Sequence, residues 1–204
     1  MLGMLERDPE SGRYYNSLIA LGAEPGVYRK RHLVPFGEYF PVPDFVRDWM
    51  RLMSLPYVDI ASGPAHPPPL VVAGEPVALS ICYEDAFGAE QRTFLPEATL
   101  MVNVSNDAWF GNSIAPHQHL QIARLRSMEA GRYLLRATNT GISAVIRPDG
   151  SLAGTSPQFE TDVLEAAVQP HVGATPWIQW GNAPAVLLAA LLALAGLLAG
   201  RRRD

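Results

Sequence analysis

An α/β fold is what this 204-residue sequence predicts, and three observations carry that reading. β-prone runs alternate with helix-patterned ones. Gly and Pro turn signals separate them at short intervals. The chain is 48% hydrophobic, enough for a real core. Its length suits one domain of moderate size with room for an attached segment.

The elements follow in order. Residues 1–12 are polar and turn-rich and read as irregular. Arg13 to Leu21 is β-prone, and Glu24-Pro25-Gly26 is a turn. Val27 to Leu33 reads as a strand running into the loop Pro35-Phe36-Gly37. Pro43 to Met53 reads as a short amphipathic helix with proline at its start. Ala61 to Pro69, rich in Pro and Gly, is a loop. Leu70 to Ala73 and Val77 to Ile81 pair as a hairpin across Gly74-Glu75-Pro76. Phe87 to Leu95 is helical, Thr99 to Val104 a buried-type strand, and Asn106 to Pro116 a loop. His117 to Leu135 is the longest helix before the C-terminal segment. On it Arg124, Arg132 and Arg136 share one face, with Glu129 placed to pair with Arg126 and Arg132. Ser143 to Arg147 and Ser151 to Ala153 flank the turn Pro148-Asp149-Gly150. Asp162 to Val168 is the last strand.

The C-terminus has a different character. Ala183 to Gly200 is uncharged and is followed by Arg201-Arg202-Arg203-Asp204. About 18 residues at 1.5 Å each nearly cross a hydrocarbon core of about 30 Å. Trp177 and Trp180 stand where an aromatic belt would be. The sequence therefore divides into a globular part, 1–176, and a segment, 177–204, with a transmembrane helix over about 183–200. A buried core helix is the alternative. The positive-inside rule puts the Arg-rich tail in the cytoplasm and the globular part on the outer face. The first ten residues hold no apolar signal region, so export is expected to depend on earlier spans of a longer protein.

Charge and cysteine content exclude several functions. A net charge of −4 gives no footprint for nucleic acid. One cysteine excludes an internal disulfide framework and a Cys-rich metal site. His117 and His119 lack a nearby ligand set, so neither metal nor cofactor is expected.

The one lysine and the one cysteine are the chemical landmarks; the other 15 cations are arginines. Cys82 ends the apolar strand Val77 to Ile81 just before a helical stretch. A nucleophile at such a strand-to-helix turn is exposed, and the next amide, that of Tyr83, can face an oxyanion. An adjacent ammonium such as Lys30 favours thiolate and stabilises a tetrahedral intermediate. A carboxylate is needed to move the proton, and Glu38 and Glu84 are the candidates. The residues alone leave blander readings open: a buried thiol, a surface lysine, and a helix-start carboxylate at Glu84.

Three segments then converge. Lys30-Arg-His-Leu-Val-Pro-Phe-Gly-Glu38, Ile81-Cys82-Tyr83-Glu84 and Ser105-Asn-Asp-Ala-Trp-Phe-Gly111 together resemble the nitrilase-type domain of the apolipoprotein N-acyltransferase family of Gram-negative bacteria. The stretch from His117-x-His119 to Arg136-x-Thr-Asn139-x-Gly141 fits as well, so the likeness covers nearly the whole chain. It implies a partial α-β-β-α sandwich, N-terminally truncated, facing the periplasm and held at the inner membrane. It implies a Glu-Lys-Cys triad with Cys82 as nucleophile and Lys30 as electrostatic stabiliser. Glu38 and Glu84 would be essential supporting carboxylates, and Tyr83 would line the site. The triad's general base belongs upstream of the lysine motif, where this chain has no matching segment. The isolated chain is therefore expected to be inactive.

The implied reaction takes an acyl chain from a phospholipid onto Cys82 as a thioester. It then passes that chain to the α-amine of a diacylglyceryl-cysteine apolipoprotein. Asn106 and Asp107 would shape the pocket wall or make a turn. Trp109 and Phe110 would meet acyl chains or membrane, or else sit as core aromatics under their loop. Two other functions stay open: an amidase using water as acceptor, and an inactive membrane-anchored remnant.

Overall fold

A computed structural model describes residues 1–53 and 59–201. Two sheets organise it. The smaller is antiparallel, with order β1-β2-β3: β1 (Leu2–Arg7), β2 (Tyr14–Ala20) and β3 (Gly26–Arg29). The larger has order β4-β5-β6-β7-β8-β9: β4 (Leu70–Val72), β5 (Glu75–Ile81), β6 (Leu100–Ser105), β7 (Leu134–Thr138), β8 (Ala144–Ile146) and β9 (Leu152–Thr155). Its central strands β5, β6 and β7 are parallel, and the outer pairings are antiparallel. The helices are α1 (Asp44–Leu52), α2 (Gly88–Gln91), α3 (Ala115–Ala130), α4 (Pro176–Trp180) and α5 (Ala183–Arg201).

The sheets stack closely. A methyl added at Gly3 of β1 would lie 3.3 Å from Val104 of β6, and one at Gly26 of β3 would lie 2.9 Å from Leu70 of β4. Leu18 and Tyr28 of the small sheet share one buried cluster with Val77, Leu79 and Ile81 of β5. Leu120, Ala123 and Ala130 of α3 join the same cluster, and α3 packs on β7 and β8. The described layers are thus a helix, a mixed sheet and an antiparallel sheet. The parallel strands need crossovers, which α2 and α3 supply. β5 is buried over its last five residues, as a strand covered on both faces must be.

Most predicted elements form, with shifts of a residue or two at most ends, although the strand expected to reach Leu33 stops at Arg29. Four expectations are corrected. Residues 2–7, read as irregular, are β1, which pairs with β2 from Leu2↔Ile19 to Arg7↔Tyr14. The long helix stops at Gly131, which adopts φ 61 and donates back to Met128 and Ser127. A left-handed glycine after the last turn ends a helix at little steric cost. The residues beyond it, expected to be helical to Leu135, enter β7, so Arg132 and Arg136 do not share a helix face with Arg124. Asp162 to Val168 forms no strand, although Leu164 lies against Gly154.

The C-terminal segment is helical as expected. No helix among the described residues, however, is long and apolar enough to cross a membrane. Side chains of α5 are described from Ala183 to Leu198. They are exposed throughout. The two tryptophans before it also differ. Trp177 packs against the core with Arg92 and Arg126 over its ring, and only Trp180 is exposed.

Candidate active site

Cys82 stands at the C-terminal end of β5, where a 3-10 turn, Cys82–Ala86, begins. Its φ is 53, a left-handed conformation that costs a residue with a Cβ about 1–3 kcal/mol and persists only where neighbours hold it. Its side chain is partly exposed. The chain turns sharply at this strand end, and does so without flanking glycines.

Glu84 ties this turn to the lysine segment. Its buried carboxylate accepts from the Ile81 amide (2.8 Å), just before the cysteine. It also accepts from the amides of Arg31 (2.7 Å) and His32 (3.1 Å), just after the lysine. The Tyr28 hydroxyl donates to it at 2.8 Å. Burial raises the Glu84 pKa, and the four hydrogen bonds oppose that rise. One carboxylate therefore joins the segments bearing Lys30 and Cys82. Glu84 also lies in the first turn of that 3-10 helix, so the helix-start reading holds and the brace is added to it.

Lys30 is 1% exposed, so the surface-lysine reading fails. Its Nζ meets both carboxylate oxygens of Glu38, at 2.8 and 2.9 Å. Glu38 in turn accepts from the Val34 amide (2.7 Å) and the Asn16 side chain. The carboxylate is fixed by its own Pro/Gly loop, and it fixes the ammonium. Tyr83 is half-exposed and packs edge-on to His32 and Phe87, whose rings stack on each other at 3.5 Å.

The residues after β6 divide. Asn106 caps the short turn Asp107–Phe110, accepting from Ala108 (3.1 Å) and from Asn139 (2.8 Å). Trp109 is 84% exposed and Phe110 42%, so the core reading of this pair is overturned. Asp107 lies in that turn, as expected there, and its side chain is buried.

Asp107 belongs to a cluster that residue-by-residue reading missed. His119 of α3 is buried between two carboxylates, with Nδ1 3.1 Å from Asp107 and Nε2 3.0 Å from Asp85. The same Nε2 lies 3.2 Å from the Cys82 carbonyl oxygen. Arg136 of β7 reaches Asp85 (3.3 Å), Asp107 (3.0 Å) and the Asn103 side-chain oxygen (2.6 Å). Two aspartates thus face one arginine and one imidazole beneath the thiol turn. Burial opposes charging His119, but the bonds to Asp107 and Asp85 outweigh it and raise its pKa to about 9. Burial likewise opposes ionising Asp107, and the bonds from His119 and Ser105, with the charge of Arg136, lower its pKa to about 2. One sequence signal was available. Asn103 and Arg136 interrupt otherwise apolar runs, and a polar residue in a buried strand needs a buried partner.

Stability should follow these two groups. His119 rises from its ordinary 6.5, so its contribution is complete below pH 6.5 and fades as pH climbs through about 9. Asp107 falls from 3.8, so its contribution is present above pH 3.8 and is lost as pH drops through about 2. Asp85 and Arg136 are the other charged groups bonded within this cluster. Urea unfolding across pH should show a plateau between these limits and losses outside them. A flat profile up to pH 10 would contradict a charged His119.

Gly141 closes the cluster from above. A methyl there would lie 2.2 Å from an Asp107 carboxylate oxygen and 2.8 Å from its Cβ. Gly141→Ala must displace Asp107 from its partners, at a cost of about 1–3 kcal/mol. Thermal unfolding of that variant checks the value, and an unchanged midpoint would show the packing to be loose.

The comparisons with known proteins bear on the same residues. The profile described as Carbon-nitrogen hydrolase matches residues 1–176. The chain belongs to the carbon-nitrogen hydrolase family. Two curated relatives are 46% identical to this carbon-nitrogen hydrolase chain, each over 100% of its length. They are proteins named Apolipoprotein N-acyltransferase from Methylococcus capsulatus, of which 40% is covered, and Nitrosomonas europaea, of which 42% is covered. The chain thus spans about two fifths of the length of these relatives. Among solved structures, the carbon-nitrogen hydrolase from Helicobacter pylori G27 superposes with a TM-score of 0.58 at 17% identity, over 78% of this chain and 58% of that one. Saccharomyces cerevisiae Nit3 does so with a TM-score of 0.58 at 18% identity, over 78% and 55%. At these identities the two structures establish the shared nitrilase-like fold.

Proposed function

We propose that this chain is the acyl-transferring unit of an apolipoprotein N-acyltransferase. The observation that carries the reading is the 46% identity, end to end, with relatives of that name. In this reading Cys82 attacks the ester carbonyl of a phospholipid acyl chain. A thioester forms and a lysophospholipid leaves. The α-amine of a diacylglyceryl-cysteine apolipoprotein then attacks the thioester, giving the N-acylated lipoprotein and returning the thiol.

The geometry suits these roles. Cys82 occupies a strained turn and is partly exposed. In this reading the Lys30 ammonium, locked by Glu38, would stabilise the developing oxyanion together with the Tyr83 amide. Glu84 holds the two segments in register. In this reading a carboxylate accepts the thiol proton.

Both substrates are membrane lipids, and exposed apolar side chains are available to meet them. Trp109, Phe110 and Tyr83 are among these. Phe45, Trp49 and Leu52 of α1 are exposed at helical spacing, the pattern of a lipid-facing stripe. We assign α5 to the inner membrane and the globular part to its periplasmic face.

The test uses full-length protein with a phospholipid in vesicles and a diacylated lipopeptide. Acyl transfer to the peptide amine is expected. Release of ammonia from small amides, with no lipid turnover, would favour the hydrolase suggested by the family name and overturn the transferase.

A further inference from the structure

The thiol turn presents a physical problem. A left-handed residue with a side chain relaxes unless something holds its backbone. Cys82 has φ 53, and the peptide group that must be held is its own carbonyl. Two side chains approach that oxygen: His119 Nε2 at 3.2 Å and Asn103 Nδ2 at 3.5 Å. The second distance is at the limit of a hydrogen bond. Asn103 has better partners in Ser80 at 2.9 Å and Arg136 at 2.6 Å.

We propose that His119 is the positioning residue of the nucleophile, clamping the Cys82 carbonyl so that the turn stays left-handed and the thiol stays aimed at substrate. The proposal rests on the reading of Cys82 as the nucleophile and extends it to a residue that touches no substrate.

The surroundings support the clamp. His119 sits on α3, whose Leu120 and Ala123 are anchored in the core, so the ring has a rigid base. Both ring nitrogens face acceptors. Nδ1 faces Asp107, and Nε2 faces both Asp85 and the Cys82 carbonyl. A neutral imidazole has one N–H and can serve only one side. With two N–H groups the ring donates on both sides at once, and the flanking carboxylates favour that form. Asp85 comes from the turn after β5 and Asp107 from the turn after β6. The clamp therefore registers the C-terminal ends of two neighbouring parallel strands.

Two amide replacements separate the clamp from mere charge balance. In His119→Gln the side-chain amide reaches the position of Nε2 and can still donate to Cys82. In His119→Asn it reaches only the position of Nδ1 and can still donate to Asp107. Both remove the same ring and the same charge, so both should lose similar stability. In full-length protein His119→Asn is expected to lower kcat about 100-fold at unchanged KM, the scale of an ångström-sized misplacement. Its Cys82 should also be alkylated by iodoacetamide at an altered rate. His119→Gln should stay much closer to wild type in both measurements. Equal kcat and equal alkylation in the two variants would overturn the clamp.

Should neither variant fold, nitrogen-15 NMR of the imidazole in unmodified protein decides. Two N–H protons on His119 at pH 7 are expected, and a bare Nε2 overturns the proposal. Failure of the functional reading looks different, because Cys82→Ser would then keep wild-type turnover whatever the His119 variants do.

Discussion

Arg136→Leu is expected to destabilise the domain by about 3–5 kcal/mol, the cost of leaving buried charge uncompensated. The arginine side chain is fully buried and bridges Asp85, Asp107 and Asn103. Leucine fills part of the space but donates nothing. Two carboxylates would then share His119 as their only cation within the cluster, and one must take up a proton or the turn must open. Arg136→Lys should recover little, because a single ammonium cannot span three acceptors as a planar guanidinium does. Urea midpoints measured at constant slope test this. A loss under about 1 kcal/mol would show that the cluster contributes little to holding the strand ends.

Cys82→Ser should remove turnover almost entirely, by a factor on the order of 10⁴ or more, as loss of a covalent nucleophile does elsewhere. No acyl-enzyme should be trapped on the full-length variant given phospholipid alone. The fold should survive, since the partly exposed thiol is replaced by a group of similar size. Mass spectrometry of the acyl-enzyme and the unfolding midpoint, measured together, distinguish chemistry from collapse. A wild-type rate in the variant excludes Cys82 as nucleophile.

Much of the fold was legible because its signals are local. The hairpin around Gly74-Glu75-Pro76, the amphipathic α1 and the apolar β6 need only a window of neighbours. Where the reading failed, long-range contacts decided. Residues 2–7 mix apolar and charged side chains with a glycine and become a strand because β2 offers a full ladder. Leu134 and Leu135 look like more helix until Gly131 turns the chain and β6 accepts β7 as a parallel neighbour.

The candidate site divides in the same way. Lys30, Glu38, Cys82 and Glu84 stand out from residue type and local motif. His119 reads in the sequence as half of a weak metal pair and Arg136 as part of a helix face, yet both lie in the buried cluster beneath Cys82. Asp85 passed unnoticed beside Glu84. Their significance depends on partners that lie 12 to 51 residues apart in sequence.

By itself the sequence determined the chemical groups and their local frames: one thiol after an apolar strand, one ammonium before a Pro/Gly loop, and the carboxylates beside each. Only the tertiary structure decided that Glu84 would join the two frames and that a charged cluster would lie under the thiol turn. The reason is physical. Periodicity and turn propensity act over a few residues. The pairing of buried charges is settled only when packing excludes water and leaves each group whichever partners the strand order has brought near.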